Sequence, residues 1–139
     1  MKIKLNFEIK PMAKQSFRTT RTGQKYLDAS VIKYRKAIRN MAILQMRKQK
    51  AEKIEGAVNM NIVYSFRRPK SLNKKERNEI DSGKTVPKTT KPDIDNLTKA
   101  ILDALNGIVW KDDAQVTQIN IQKVWSAKDQ IEVEIWETK

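Results

Sequence analysis

Two hydrophobic repeats of different period constrain the fold of this 139-residue chain more than any other feature. Apolar and polar residues alternate from Ile3 to Ile9 and again from Val58 to Phe66, which is the pattern of a strand with one buried face. Between these segments apolar residues recur every three or four positions from Val31 to Ala42. That spacing predicts a helix with one face on the core, and either Asp28 or Ser30 is suited to cap its first turn.

The second half of the chain contains a further helix and two further strands. The helix is predicted from about Asp95 or Asn96 to Asn106, where Asn106-Gly107 supplies a stop. The strands are predicted from Val116 to Trp125 and from Gln130 to Glu137. The resulting order β-α-β-loop-α-β-β predicts a single α+β domain over residues 1–139, with a small mixed sheet and two main helices on one face.

The chain is strongly basic, with 29 Lys and Arg residues against 16 Asp and Glu residues and a net charge of +13. Such an excess favours a polyanionic partner, namely DNA, RNA or an acidic membrane surface. No apolar run approaches the ~20 residues needed to span a bilayer, and the N-terminus lacks the apolar core of a signal peptide. We therefore expect a cytoplasmic protein that binds nucleic acid and does not enter a membrane.

The positive charge is concentrated in two segments. Residues 10–50 carry twelve basic side chains and one acid, and residues 67–91 carry nine basic and three acidic side chains. Because the second segment also contains proline and glycine, we expect a basic, partly mobile loop with a short helix that starts near Asn73. The side chains expected to contact nucleic acid are Lys14, Arg18, Arg21, Lys25, Arg67, Arg68, Lys70, Lys74 and Lys91.

Histidine and cysteine are both absent from the chain. Their absence excludes a histidine general base, a cysteine nucleophile, a disulfide framework and zinc sites built from His and Cys. Any catalysis near neutral pH must therefore rely on a hard metal ion held by carboxylates, or on lysine or tyrosine chemistry.

Five aspartates and no glutamate lie between Asp93 and Asp113. Two carboxylates about 4 Å apart repel by about 4 kcal/mol at an effective dielectric constant near 20, a cost that a divalent cation removes. If Asp93 and Asp95 lie on extended backbone, their carboxylates point the same way and Ile94 turns to the core. Asp95 would then lie at or near the helix N-cap. The chain returns one helix length later with Asp112 and Asp113, so we expect these carboxylates to converge at one end of the helix as a Mg²⁺ site.

Other roles for these residues stay open on the sequence. Asp95, Lys99 and Asp103 are spaced for an ion-pair ladder along one helix face. We favour that role for Asp103, whereas Lys99 is equally suited to reach a phosphate oxygen. The first two aspartates could also form an N-cap with a solvated neighbour, and Asp112-Asp113 could be an acidic turn with Trp110 packed beneath it.

Two blocks of the acidic segment match a known signature. The first reads Lys-Pro-Asp-Ile-Asp-Asn-Leu-Thr-Lys at residues 91–99, and the second reads Trp-Lys-Asp-Asp-Ala-Gln-Val at residues 110–116. They resemble the D-x-D-N-L-x-K and W-x-D-D-A-Q-V motifs of the RusA family, which are Holliday junction resolvases common in bacteria and in prophages. The leading strand and the two closing strands are also similar to that family.

The resemblance implies a homodimeric endodeoxyribonuclease that resolves four-way DNA junctions by paired symmetric nicks in recombination and repair. It implies a requirement for Mg²⁺, with Mn²⁺ able to substitute. The implied catalytic residues are Asp93, Asp95, Asp113 and Lys99, and the implied metal ligands are the same three aspartates together with Asp112.

The chain departs from the compact members of that family in its long 67–91 segment and in Pro92, which stands where they place an arginine. These departures affect the expected DNA contacts and not the expected metal site. Two other functions remain open. One is a non-catalytic basic nucleic-acid-binding protein whose acids form ion pairs. The other is a nuclease selective for flaps or forks that uses the same metal site.

Overall fold

The computed structural model describes residues 1–13, 18–26 and 28–139, and for residues 18, 19, 25 and 26 it describes the backbone alone. Within these ranges the chain forms seven strands and three α-helices. The strands are β1 (Lys2–Phe7), β2 (Arg18–Thr19), β3 (Lys25–Tyr26), β4 (Ala57–Arg67), β5 (Val86–Pro87), β6 (Val116–Ser126) and β7 (Gln130–Thr138). The helices are α1 (Ala29–Lys48), α2 (Lys74–Asp81) and α3 (Ile94–Leu105), and a 3₁₀ turn covers Asp113–Gln115.

Five of the strands form one mixed sheet in the order β1-β7-β4-β6-β5. β7 pairs antiparallel with both β1 and β4, β4 runs parallel to β6, and β5 pairs antiparallel with the last part of β6. Parallel neighbours need a crossover connection, and the chain from α2 through α3 supplies it between β4 and β6. This topology confirms the predicted α+β class. It adds β5 to the sheet and a separate hairpin of β2 and β3, which the sequence patterns did not predict as strands.

The core lies on the face of the sheet that the alternation predicted. The three inward residues of β1 and the alternate residues of β4 from Val58 to Phe66 are almost fully buried. They form one core with the inner faces of α1 and α3, which include Ile38 and Ile101. Both long helices therefore cover one face of the sheet, as predicted. No helix in the described part of the chain is long and apolar enough to cross a membrane.

Polar side chains cap the first turns of α1 and α2. The Oδ1 atom of Asp28 accepts a hydrogen bond of 2.8 Å from the backbone N–H of Ser30, so the first of the two candidate caps starts α1. The Oδ1 atom of Asn73 accepts a bond of 2.8 Å from the N–H of Glu76. Each bond satisfies a backbone donor that has no partner within the helix. The start predicted for the short helix is confirmed.

The 67–91 segment is more regular than the basic loop that its composition predicted. α2 occupies its centre and buries Ile80. The Arg68 guanidinium donates two hydrogen bonds, of 2.8 and 2.9 Å, to the carboxylate of Asp81 at the end of that helix. The last part of the segment pairs with β6 as β5. Composition indicated the breaks between these pieces, but the burial and the edge pairing that hold them depend on distant residues.

Gly107 follows α3 in a left-handed backbone conformation, with φ of +81°. Apart from its chain neighbours, no described residue has an atom within 4 Å of the position that a Cβ atom would take there, so the cost of Gly107→Ala is conformational. We expect this substitution to lower the free energy of unfolding by about 1–2 kcal/mol, measured by urea denaturation. Gly107→Asn should cost less, because asparagine enters this region more readily. Equal losses for the two variants would contradict the backbone explanation.

Candidate active site at the two ends of helix α3

The N-terminus of α3 presents two of the predicted site residues to solvent. Asp93 is the N-cap, with φ of −78° and ψ of 149°, and Asp95 lies in the first turn. Both side chains are exposed, as is Lys99 one turn further along. The extended run considered for residues 93–95 does not form, because the helix starts at Ile94 and not at Asp95 or Asn96. Ile94 is 39% exposed and does not join the core. The positive end of the helix dipole lies at this point and favours anions.

Contacts along its inner face fix α3 against the sheet. Leu97, Ile101 and Leu105 are fully buried, and the hydroxyl groups of Thr98 on α3 and Tyr64 on β4 are hydrogen-bonded at 3.0 Å. Burial raises the pKa of Tyr64 well above its usual range. The phenol therefore stays protonated at neutral pH and anchors the helix instead of acting as a base.

Two lysines hold the backbone that leads into α3. The ammonium group of Lys88 donates to the carbonyl of Thr90 at 3.3 Å, to the hydroxyl of the same residue, and to the carbonyl of Lys91 at 2.6 Å. Lys123 on β6 donates to the carbonyls of Thr90 at 2.6 Å and Pro92 at 2.8 Å. Hydrogen bonds from charged donors are stronger than neutral ones. The three carbonyls before the first aspartate are therefore tied to the edge of the sheet.

The remaining aspartates follow the other end of α3. Trp110 is fully buried, and its indole Nε1 donates to Oδ1 of Asp113 at 2.8 Å, which confirms that Trp110 packs beneath the acidic turn. Asp112 caps the 3₁₀ turn, because its Oδ1 accepts from the N–H of Ala114 at 3.3 Å and Gln115 completes a capping box. Asp112 therefore has a structural role of its own at this turn.

The two acidic ends lie far apart within one chain. α3 has twelve residues and is about 18 Å long, with Asp93 before its first residue and Asp113 beyond its last. Positions along the sheet give the same separation. Lys123 donates to the carbonyl of Pro92, just before Asp93, and it lies about 23 Å along β6 from Val116, which is three residues after Asp113. The carboxylates do not converge at one end of the helix in a single chain. Within the described ranges no three acids lie close enough together to hold a metal ion.

Most of the side chains predicted to contact nucleic acid are exposed, where the structure describes them. The exposed ones are Arg21, Arg67, Lys70, Lys74 and Lys91. Arg68 is instead engaged by Asp81, and this hydrogen-bonded guanidinium lowers the pKa of the carboxyl. Lys14 and the side chains of Arg18 and Lys25 lie outside the described part of the chain.

Sequence reasoning missed Lys88 and Lys123 as residues that organise the site. A lysine in a basic segment or in a strand is most often solvated surface charge. For Lys123 a signal was present in the alternation along β6, where it shares a face with Ile119, Ile121 and Trp125. That face is the one covered by the helices, so a lysine on it needs partners. For Lys88 no comparable signal is visible.

The exposed basic side chains are typical of a surface that binds nucleic acid. The chain matches the family model described as endodeoxyribonuclease RusA over residues 6–136. It therefore belongs to the RusA endodeoxyribonuclease family, which confirms the resemblance seen in the two motif blocks. The chain is also 40% identical, over 86 residues, to the uncharacterized protein YqaN of Bacillus subtilis (strain 168). That alignment spans 60% of this chain and 60% of the length of the relative.

Proposed function

We propose that this protein is a metal-dependent endodeoxyribonuclease that resolves four-way DNA junctions by paired symmetric nicks, in recombination and repair in the cytoplasm. The observation that carries the proposal is the presence of Asp93 and Asp95 at the exposed N-terminus of α3, with Lys99 one turn further along. Membership of an endodeoxyribonuclease family supports the same class of reaction. A four-way junction has two-fold symmetry and needs two cuts, so a homodimer with one site per protomer suits this substrate.

The donor set fits a hard divalent cation, which we take to be Mg²⁺, with Mn²⁺ able to substitute. Carboxylate oxygens are the ligands that such ions prefer, and the candidate set contains no softer donor. Such an ion, when bound, polarises a phosphoryl oxygen and lowers the pKa of bound water. Among the described residues of one chain, Asp93 and Asp95 lie at this end of α3 without a third acid close enough to share a metal ion. We therefore propose that the partner subunit's Asp113 completes the ligand set, with the partner subunit's Asp112 beside it.

The other residues at this end of α3 would bind and orient the phosphodiester. Lys99 would neutralise negative charge that develops on the phosphoryl oxygens in the transition state. The free N–H groups at the start of the helix attract the same anion. The hydrogen bonds from Lys88 and Lys123 hold the backbone before Asp93, so the carboxylates need little rearrangement when DNA binds.

Trp110→Phe tests whether the orientation of Asp113 matters for cleavage. Phenylalanine keeps the aromatic ring but removes the N–H that donates to Asp113. A hydrogen bond to a charged group is worth about 1.5–3 kcal/mol, so single-turnover junction cleavage should slow by roughly 10- to 100-fold. Trp136→Phe makes the same chemical change at a half-buried strand position and should leave the rate unchanged. An unchanged rate in folded Trp110→Phe protein would count against this role.

The most direct test of the proposed function uses purified protein and a synthetic four-way junction, with Mg²⁺ or with EDTA. We expect two symmetric nicks with Mg²⁺ and none with EDTA, while binding persists in both. Binding without cleavage both in Mg²⁺ and in a parallel reaction with Mn²⁺ would support a non-catalytic nucleic-acid-binding protein instead. Preferred cleavage of a flap or fork in competition with the junction would support the alternative nuclease.

A further inference from the structure

A basic pocket lies beside the segment that leads into α3. It has a volume of about 420 Å³ and opens to solvent. Six of its ten lining residues are basic, namely Lys10, Arg67, Arg68, Lys70, Lys88 and Lys91. One, Asp129, is acidic. The pocket is therefore suited to an anion, and neither the pocket nor Lys10 has a role in the cleavage proposed above.

The floor of the pocket is a buried cation that lies on two aromatic rings. The Lys88 ammonium is 4.5 Å from the centroid of the Trp125 ring and 5.2 Å from that of Phe66, and only 8% of the residue is exposed. Its N–H groups already bond to oxygens of Thr90 and Lys91. Lys88 therefore supplies a fixed positive charge at the floor. A ligand would be contacted directly by the exposed basic side chains at the rim of the pocket.

Nearby acids compensate only part of the positive charge of the pocket, in which Asp81 pairs with Arg68. Burial, followed by the charges of Lys123 and Lys10, lowers the pKa of Lys88, and the described residues offer it no carboxylate ion-pair partner. Asp129 already accepts a hydrogen bond of 2.7 Å from the backbone N–H of Arg67. The basic side chains that line the pocket repel one another, and an anion bound among them would remove that repulsion.

We propose that this pocket binds one backbone phosphate of the DNA strand close to the bond that is cut, with Lys10 and Lys70 as its direct contacts and Lys88 as the fixed charge beneath it. The identity of the ligand rests on the proposed function. Lys91 and Pro92 line the pocket and directly precede Asp93, so a strand held there passes the N-terminus of α3. The volume leaves room for the sugars attached to the phosphate, and the open mouth admits a polymer.

The pocket can be tested with a double-mutant cycle that combines a change in the DNA with a change in the protein. The change in the DNA replaces one phosphate of the backbone with an uncharged methylphosphonate linkage. Junction binding is measured in EDTA, which prevents cleavage, on junctions that carry one such linkage at successive positions. At one position the linkage should weaken binding to the wild-type protein by about fivefold, the upper range for an exposed ion pair. The same linkage should have little effect on Lys10→Gln or Lys70→Gln proteins, because these have lost the contact it removes. Each variant should also lower the slope of log K against log salt by about one.

Lys36→Gln is the matched control, since Lys36 is an exposed lysine on α1 that does not line the pocket. This variant should retain the full effect of the linkage. The proposal is overturned if no linkage position couples to Lys10→Gln or Lys70→Gln, so that the separate effects simply multiply. The assay needs binding alone. Coupling in a protein that never cleaves the junction would support the pocket and reject the nuclease.

Discussion

Asp95→Asn should abolish junction cleavage and leave junction binding intact. Asparagine has nearly the same shape as aspartate but no charge, so it is a poor ligand for a hard cation. Metal-ion catalysis is worth several kcal/mol of transition-state stabilisation, and its loss corresponds to at least about a 10³-fold fall in rate. Binding should persist, because the basic surface supplies most of the affinity for phosphates. Single-turnover cleavage and equilibrium binding of the same preparation measure the two effects separately.

Asp93→Asn should behave in the same way, and Asp103→Asn serves as the matched control. Asp103 is on the same helix, two turns beyond Asp95, and is half-buried. Its substitution makes the same change of charge away from the N-terminus of α3, so cleavage should fall only mildly. Near-normal cleavage by an Asp95→Asn protein with an unchanged urea midpoint would contradict the assignment of Asp95 as a metal ligand.

The sheet and the long helices could be predicted from sequence because their hydrophobic patterns repeat over many residues. The apolar β4 residues at every second position from Val58 to Phe66 are buried, as the alternation indicates. Asn59 and Ser65 between them are buried as well, which the alternation did not indicate. β5 has two residues, Val86 and Pro87, which is too short for any period to show. It forms because these residues meet Trp125 and Val124 on β6, and such pairing is a property of the tertiary fold.

The sequence could name candidate site residues, but it could not show where the fold places them. Asp93, Asp95 and Asn96 are all good capping residues, so the sequence could not decide where α3 starts. The path after the helix depends on distant contacts. Ile54 forms a bridge with Trp110, and Gln115 donates to the carbonyls of residues 54 and 56. These contacts hold the second acidic block beyond the far end of α3, where no local pattern could have located it.

Two inactive variants, when mixed, should restore cleavage if the metal site is shared between protomers. In a dimer of an Asp95→Asn chain and an Asp113→Asn chain, one shared site carries both substitutions and the other carries neither. Random exchange of subunits makes half of the dimers mixed, and each mixed dimer has one intact site out of two. The mixture should therefore recover about a quarter of the wild-type nicking rate, and its products should be single nicks.

A site built within one chain gives a different result. Every site in the mixture would then carry one substitution, and no exchange of subunits could produce an intact ligand set. Asp93→Asn mixed with Asp95→Asn is the matched control. Both substitutions lie at the same end of α3, so this pair should stay inactive under either arrangement.

The decisive measurement is the nicking rate of a four-way junction by Asp95→Asn and Asp113→Asn chains refolded together, compared with each variant refolded alone. A shared site predicts recovery to about a quarter of the wild-type rate in the mixture and none in the separate variants. A mixture that contains mixed dimers and is no more active than its two parents would contradict a site formed from Asp93 and Asp95 of one protomer and the partner subunit's Asp113.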